Sequence, residues 1–413
     1  MSQLSLSKKK IPILLLEGIH NNAIESFKTA GYENIELMSS ALEGQELIDK
    51  LKNYKIVGLR SRTQLTKEVL ENSTHLAAIG CFCIGTNQVN LQTAHKHGIP
   101  VFNAPYSNTR SVAELVLAEA ILLVRNVIDK NAMAHRGQWL KSADNANEVR
   151  GKTLGIIGYG HIGMQLGILA ESMGFKVIFH DVEEKLPLGN AIQVNSQQEL
   201  LQTAHVVSLH VPQLSSTKNL ITAKEFALMK ENSVIINASR GNVIEIDALV
   251  DALKSKKLKG AAIDVFPSEP SSKNEVFESP LKDFDNVFIT PHIGGSTIEA
   301  QENIANEVSA KLIKYSDNGS TLNAVNFPEL SLPSNAGADN HRVLHIHANV
   351  PGVMNELNEI LAHKNINVEG QYLRTQDDIG YVVMDIRSSV EEAKDLVNEF
   401  KKVKATIRAR YLI

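Results

Sequence analysis

The sequence predicts an α/β protein made of two doubly wound parallel-sheet (Rossmann/flavodoxin-like) domains and a C-terminal ferredoxin-like βαββαβ domain. Three observations predict it. Short apolar runs alternate with amphipathic stretches from Ile11 to about Pro105 and again from Lys152 to about His292, the signature of β-α-β units. After a stretch rich in Ser, Asn, Gly and Pro, the last 70 or so residues run strand, helix, strand, strand, helix, strand. The length of 413 residues suits two to three domains of roughly 150 residues, each able to bury a core.

In the first series the strand-like runs are ILLLEG, NIELM, KIVGLRSR, HLAAIGCFC and IPVFNAP. Between them lie the helical patterns AIESFKTAG, GQELIDKL, TKEVLEN and VNLQTAHKHG. Ser111 to Arg136 then carries one long, strongly apolar helical pattern, a bridge between lobes or a packing surface. The second series alternates KTLGIIG, a helix to Ser172, FKVIFHD, ELLQTA, HVVSLHVP, AKEFALMK, SVIINAS, EIDALVDALKS, LKGAAIDV and NVFITPH. Runs such as Val234 to Ile236 read as strands buried on both faces. A further helix spans Ser296 to Tyr315, and Ser316 to Asn340 has the composition of a linker. The resulting division is a discontinuous first lobe, 1–107 with 296–330; a second α/β domain, 108–295; a linker, 331–340; and a small C-terminal domain, 341–413.

Composition excludes several classes of partner. Forty-two Lys and Arg against 46 Asp and Glu give a net charge of −4, which offers no excess of positive charge for nucleic acid or an anionic membrane. Lys8-Lys9-Lys10 reads as a solvated end. Cys81 and Cys83 cannot make a disulfide framework or, without further ligands, a metal site, so reduced thiols in the cytoplasm are expected and no metal is. The apolar run Ile11–Leu16 is too short for a signal-peptide core. The uncharged run Leu154–Ala170 contains five glycines and His161, which argues against a membrane span.

That run holds the nucleotide fingerprint. Gly158-Tyr159-Gly160-His161-Ile162-Gly163 follows a strand and opens a helix: the first glycine for the turn, the second for approach to a pyrophosphate, the third for helix–strand packing. Asp181 ends the next strand, 18 residues after Gly163, where a carboxylate accepts from a ribose and repels a 2′-phosphate. NAD is therefore the expected cofactor.

Three polar residues follow the ends of later strands: Arg240 after VIINAS, Glu269 after AAIDVFPS and His292 after VFITP. Ligands bind at the carboxyl ends of strands in such sheets, so these residues can converge across 29 and 23 positions. Oxidation of a secondary alcohol needs a base, which His292 can be; a carboxylate to orient it, Glu269; and a cation for a substrate carboxylate, Arg240. In the first lobe Arg60-Ser61-Arg62 follows the strand KIVGL. It reads either as a cup for a phosphate dianion or as a pair of solvated strand-end cations.

The motifs GYGHIG with Asp181, NASRG (237–241), AAIDVFPSEP (261–270) and TPHIGGST (290–297) resemble those of the D-2-hydroxy acid dehydrogenases. The resemblance implies Arg240, Glu269 and His292 as the catalytic set and Asp264 near the nicotinamide. It also implies His161 and Ile162 at the pyrophosphate, with Ala238, Ser239, Gly294 and Gly295 lining the dinucleotide. LRSRT, the 108–114 stretch NTRSVAE, and Trp139 with Lys141 resemble family members that oxidise 3-phospho-D-glycerate to 3-phosphohydroxypyruvate at the entry to serine biosynthesis. In these, Arg60, Ser61, Arg62 and Asn108 meet substrate, Lys141 reaches a neighbouring subunit's phosphate, and Trp139 is a subunit contact. Reduction of 2-oxoglutarate is an implied side activity. A different reading keeps the same fold as an NAD(H)-sensing, partner-binding protein.

The C-terminal segment resembles the ACT domain, an effector module that pairs across a subunit interface. On VLHIHAN, alternation puts Leu344 and Ile346 on one face and His345, His347 and Asn349 on the other. By the resemblance, His347, Asn349 and Asn367 hold L-serine as feedback inhibitor, and the whole is a homo-oligomer, a tetramer. A module serving dimerisation alone is the alternative. Val350 departs from the charged residue common before the Pro-Gly turn in related sequences.

Overall fold

The structure is a computed structural model that describes residues 6–270, 275–333 and 340–412. The chain forms two compact units, Met1–Ser107 with Gln301–Ile413, and Asn108–Ala300.

The first unit begins with β1 (Ile13–Leu15), α1 (Asn22–Thr29), β2 (Ile35–Leu37), α2 (Gly44–Leu51), β3 (Ile56–Leu59), α3 (Lys67–Glu71), β4 (Ala78–Cys81), α4 (Leu91–Lys96) and β5 (Val101–Asn103). Its parallel sheet runs β2-β1-β3-β4-β5, the flavodoxin-like order. Every residue of β1, β3, β4 and β5 is buried, which is why these strands read as continuous apolar runs.

In the second unit the predicted helix over Ser111–Arg136 is two helices, α5 (Thr109–Val124) and α6 (Val127–His135). The break is fixed by polar contacts: the Val124 carbonyl accepts from Lys259 Nζ at 2.7 Å and from the Asn147 N–H, and Asn126 turns the chain at a left-handed φ of 54°. There follow β6 (Thr153–Ile157), α7 (His161–Ser172), β7 (Lys176–His180), β8 (Ile192–Gln193), α8 (Gln197–Thr203), β9 (Val206–Leu209), α9 (Ala223–Leu228), β10 (Ser233–Asn237), α10 (Ile246–Lys254), β11 (Leu258–Ile263) and β12 (Val287–Ile289). The sheet order β12-β11-β10-β9-β6-β7-β8 is doubly wound, and its winding reverses at β6 and β9. Helix α11 (Ile298–Asn318) carries the chain back into the first unit. There Ile304, Val308 and Leu312 pack on the first sheet, with Val308 and Leu312 over Gly80, where a Cβ would lie 2.9 and 2.7 Å from them.

The C-terminal module is β13 (Asn340–Ala348), α12 (Val353–His363), β14 (Asn367–Gln376), β15 (Ile379–Arg387), α13 (Val390–Phe400) and β16 (Thr406–Tyr411). Its antiparallel sheet runs β14-β15-β13-β16. Val343 and the helical Leu357, Leu396 and Phe400 form one core, and His345 packs edge-on to Phe400. Leu344 and Ile346 face the opposite way, in the alternation the sequence predicts.

Residues 319–332, linker-like in composition, are packed against that opposite face. Phe327, Leu330 and Leu332 join Leu344, Ile346, Ile379 and Tyr381 in a second core. Their polar neighbours are satisfied internally: Asn326 Oδ1 accepts from the Val101 N–H at 2.8 Å, and Thr321 Oγ1 donates to the Pro328 carbonyl at 2.6 Å. Of the predicted linker, 334–339 lie outside the described residues.

Candidate functional site

In the second unit, two of the three fingerprint glycines are fixed by close approach and the third faces open space. Gly158 has φ +92°, and a Cβ there would lie 2.3 Å from the His210 carbonyl oxygen. A Cβ at Gly163 would lie 2.4 Å from the Gly158 carbonyl oxygen, so the helix touches the strand turn. At Gly160 a Cβ would meet nothing, leaving open space in front of the α7 N-terminus, which begins at His161 and Ile162. Asp181, just past β7, accepts from the Tyr159 N–H at 2.8 Å on one oxygen and from the Glu183 N–H at 3.1 Å on the other. Each oxygen retains a further lone pair for a ribose hydroxyl. An open glycine turn, a helix N-terminus and an adjacent carboxylate fit a dinucleotide.

Arg240, Glu269 and His292 follow β10, β11 and β12, three neighbouring strands, at their carboxyl ends. His292 Nδ1 pairs with Glu269 Oε2 at 2.9 Å, and Glu269 Oε1 accepts from the Phe266 N–H at 3.1 Å. His292 adopts φ 54° and is exposed, so its other ring nitrogen can be reached from solvent. The Glu269 hydrogen bond and charge hold His292 above the ordinary imidazole value, against burial and the Arg240 charge. Burial raises Glu269, but the bond and charge of His292, the Phe266 N–H and Arg240 outweigh it and leave the carboxyl below its ordinary value. Arg240 Nη1 donates to the Ser239 carbonyl at 2.6 Å, and Asn237 ties the turn by donating from Nδ2 to the Arg240 carbonyl at 3.0 Å and accepting from the Ser239 N–H. Ala238 packs partly buried against the core beneath.

Asp264 serves this geometry from below. It is 2% exposed and accepts from Thr290 Oγ1 (2.7 Å), the Ile293 N–H (2.8 Å) and the Gly294 N–H (2.9 Å), clamping both sides of His292. Thr290, Phe266 and Gly241 were not singled out by sequence reasoning. Gly241 matters because a Cβ there would lie 2.0 Å from the Phe266 carbonyl group. Nor was Glu119 on α5, whose buried carboxyl is pushed up to about 8 by burial and by Asp264. Asn108 is buried beside Gly295, where a Cβ would lie 2.6 Å from its Nδ2. Lys141 lies on an exposed segment with Trp139, which is 87% exposed.

The Arg60-Ser61-Arg62 run belongs to the first unit and follows β3. In the module, His347 and Asn349 stand at one end of the sheet and Asn367 at the other. His347 pairs with Gly380 on β15, whereas Asn367 pairs with Arg387, seven positions or about 23 Å away. One chain therefore does not bring these three together.

Among the described residues no group of three or more His, Cys, Asp or Glu is placed to hold a metal, and no helix is long and apolar enough to cross a membrane.

Comparison with known proteins decides the family. Residues 117–294 match the D-isomer specific 2-hydroxyacid dehydrogenase NAD-binding domain, and 343–408 match an AHAS small subunit-like ACT domain. The chain is 58% identical over 411 residues to the D-3-phosphoglycerate dehydrogenase of Haemophilus influenzae, covering 100% of this chain and 99% of that protein. The chain belongs to the D-3-phosphoglycerate dehydrogenase family. A member from Dictyostelium discoideum is 45% identical over 408 residues, covering 99% of this chain and 98% of that one. Among solved structures, D-2-hydroxyisocaproate dehydrogenase superposes with a TM-score of 0.68 at 26% identity, over 76% of this chain and 99% of that one. D-Lactate dehydrogenase with NAD+ from Lactobacillus jensenii gives 0.63 at 26% identity, over 73% and 97%. As a member of the D-3-phosphoglycerate dehydrogenase family, the chain is an NAD-dependent oxidoreductase with an ACT domain.

Proposed function

We propose that the chain oxidises 3-phospho-D-glycerate to 3-phosphohydroxypyruvate, the first step of L-serine biosynthesis. The reading is carried by the Glu269–His292 pair at 2.9 Å beside Arg240, in a chain 58% identical end to end to a D-3-phosphoglycerate dehydrogenase. Nδ1 of His292 is engaged by Glu269, so Nε2 takes the proton of the C2 hydroxyl, and the carboxylate stabilises the imidazolium that results. Arg240 forks onto the substrate carboxylate, and its charge favours the polarised C2 oxygen. NAD, when bound, supplies the acceptor for the hydride that leaves C2. Asp181 and the 158–163 turn hold its adenosine and pyrophosphate, while Ala238, Ser239, Gly294 and Gly295 line it and Asp264 fixes the His292 loop. Arg60, Ser61, Arg62 and Asn108 hold the phosphorylated substrate, Lys141 reaches a neighbouring subunit's phosphate, and the cup admits 2-oxoglutarate, another dianion, for reduction.

The domains divide by role: 1–107 and 296–330 for substrate, 108–295 for NAD, 331–340 as linker and 341–413 for regulation. L-serine is the effector, held by His347 and Asn349 together with Asn367 of the partner subunit. The opposite-end placement of these residues in one chain supports a site completed by pairing. The assembly is a homotetramer in the cytoplasm. Exposed Trp139 and Leu140 offer an apolar surface for one contact, and two free thiols suit a reducing compartment.

The test is NADH absorbance with 3-phospho-D-glycerate and NAD, with and without millimolar L-serine. Turnover that serine suppresses is expected. A rate indifferent to serine would refute the effector assignment, and no turnover would refute the substrate.

A further inference from the structure

Glu17 opens the turn after β1 and is only 4% exposed. Its φ is +63°, and Gly18 behind it is also left-handed. A non-glycine residue keeps that conformation only where its surroundings hold it. What holds Glu17 is its carboxylate, which the loop after β3 wraps: Oε1 accepts from the Thr63 N–H at 2.8 Å and the Arg60 N–H at 3.2 Å, and Oε2 accepts from the Arg62 N–H at 3.0 Å. Arg62 Nε lies 3.7 Å from Oε2. A second strut acts on the same loop, since Gln88 Nε2 donates to the Arg60 carbonyl at 2.7 Å.

Three of the four N–H groups from Arg60 to Thr63 thus turn inward onto one buried carboxylate. The Ser61 N–H is the one not turned onto it, and Ser61 and Arg62 are exposed. We propose that Glu17 is the positioning residue of the phosphate cup, its buried carboxylate gathering the backbone of residues 60–63 so that Arg60, Ser61 and Arg62 face a phosphorylated substrate. The inference rests on the assignment of the phosphate to these residues. It assigns to Glu17 a cost as well as a use: an anion beneath two arginines lowers the positive potential of the cup, so geometry and electrostatics pull in opposite directions.

That opposition makes the test sharp. Glu17→Gln keeps the shape but sets an amide N–H against a backbone N–H. If Glu17 positions the loop, KM for 3-phospho-D-glycerate rises about tenfold, the scale of a lost charge-assisted hydrogen bond. The kcat should fall far less, and the Kd for NADH should stay at the parent value. A global structural role would instead lower kcat, NADH binding and the melting temperature together, which would overturn the proposal. A fall in KM would also overturn it, because Glu17 would then be only a charge that weakens the cup. Glu17→Asp, which keeps the charge and shortens the reach, provides a second variant should the glutamine form not fold. Its KM should also rise, and an unchanged KM counts against the proposal. Arg60→Ala and Arg62→Ala run in parallel. If they raise KM and Glu17→Gln does not, the positioning role fails alone. If the arginine variants leave KM unchanged, the phosphate assignment fails with it.

Discussion

At His292, two features of the chain meet: a backbone in the left-handed region and a ring nitrogen bonded to a carboxylate. The carboxylate fixes the tautomer, so the free nitrogen is the acceptor that oxidation requires. Because Glu269 raises the His292 value, the neutral base is present only toward higher pH, and the oxidation rate climbs as pH rises through that raised value. Glu269→Gln removes the charge that raises it and leaves at most a weaker, uncharged hydrogen bond. The inflection of kcat for oxidation should therefore move to lower pH, with kcat itself reduced. An inflection that stays in place would show that Glu269 does not act on His292. The motif residues themselves were legible because each fits a chemical need at a strand end. Their clamps were not. Asp264 reads as one acid after an apolar run, and nothing in the sequence shows that its oxygens collect Thr290, Ile293 and Gly294. Glu17 is likewise defined by backbone donors 43 to 46 positions away.

Among the elements, the site depends on turns that follow adjacent strands approaching closely. The turn after β10 and the segment after β11 touch at Gly241 and Phe266, with no room for a side chain at 241. Gly241→Ala would push the Arg240 turn away from the segment carrying Glu269. A displacement near 1 Å costs about 10²-fold in kcat, which steady-state kinetics would read. A variant with parent kcat would mean the turn can shift without cost. The alternating pattern of strands and helices was legible because buried parallel strands are apolar throughout. The split of the helix over Ser111–Arg136 was not, since it depends on Lys259 capturing the Val124 carbonyl from far along the chain. The packing of 319–332 was hidden for a similar reason. Its Ser, Thr and Asn residues look solvent-loving, yet Ser320, Thr321 and Asn326 are buried and bonded to backbone.

At the scale of the whole first unit, the C-terminal module is seated on the substrate lobe by Arg408 of β16. This side chain is 9% exposed and donates to the carbonyls of Thr74, Leu76 and His97, and burial lowers it to about 10, so it stays cationic at neutral pH. Gly98 gives the module room, since a Cβ there would lie 3.1 Å from Ile346 Cγ2 and 3.3 Å from Arg408 Cδ. A second tie joins Asp378, in the turn before β15, to His95 on α4 at 2.8 Å, and that bond holds the exposed Asp378 carboxyl below its ordinary value. The same turn accepts from the Asn349 N–H at 2.8 Å through the Asp378 carbonyl, so a proposed effector residue is two bonds from α4 of the substrate lobe. Arg408→Ala would leave three carbonyls without their donor at a cost of about 3–5 kcal/mol. Melting should begin earlier, and the module should become more susceptible to proteolysis; an unchanged melt would mean that the seat lies elsewhere.

The most direct measurement is NADH formation from 3-phospho-D-glycerate and NAD by the parent chain and by His292→Asn, with NADH binding followed in parallel by fluorescence. The expected result is turnover by the parent, a loss of about 10²- to 10⁴-fold in the variant and an unchanged Kd for NADH. Full turnover by His292→Asn would contradict the assignment of His292 as the base that oxidation requires.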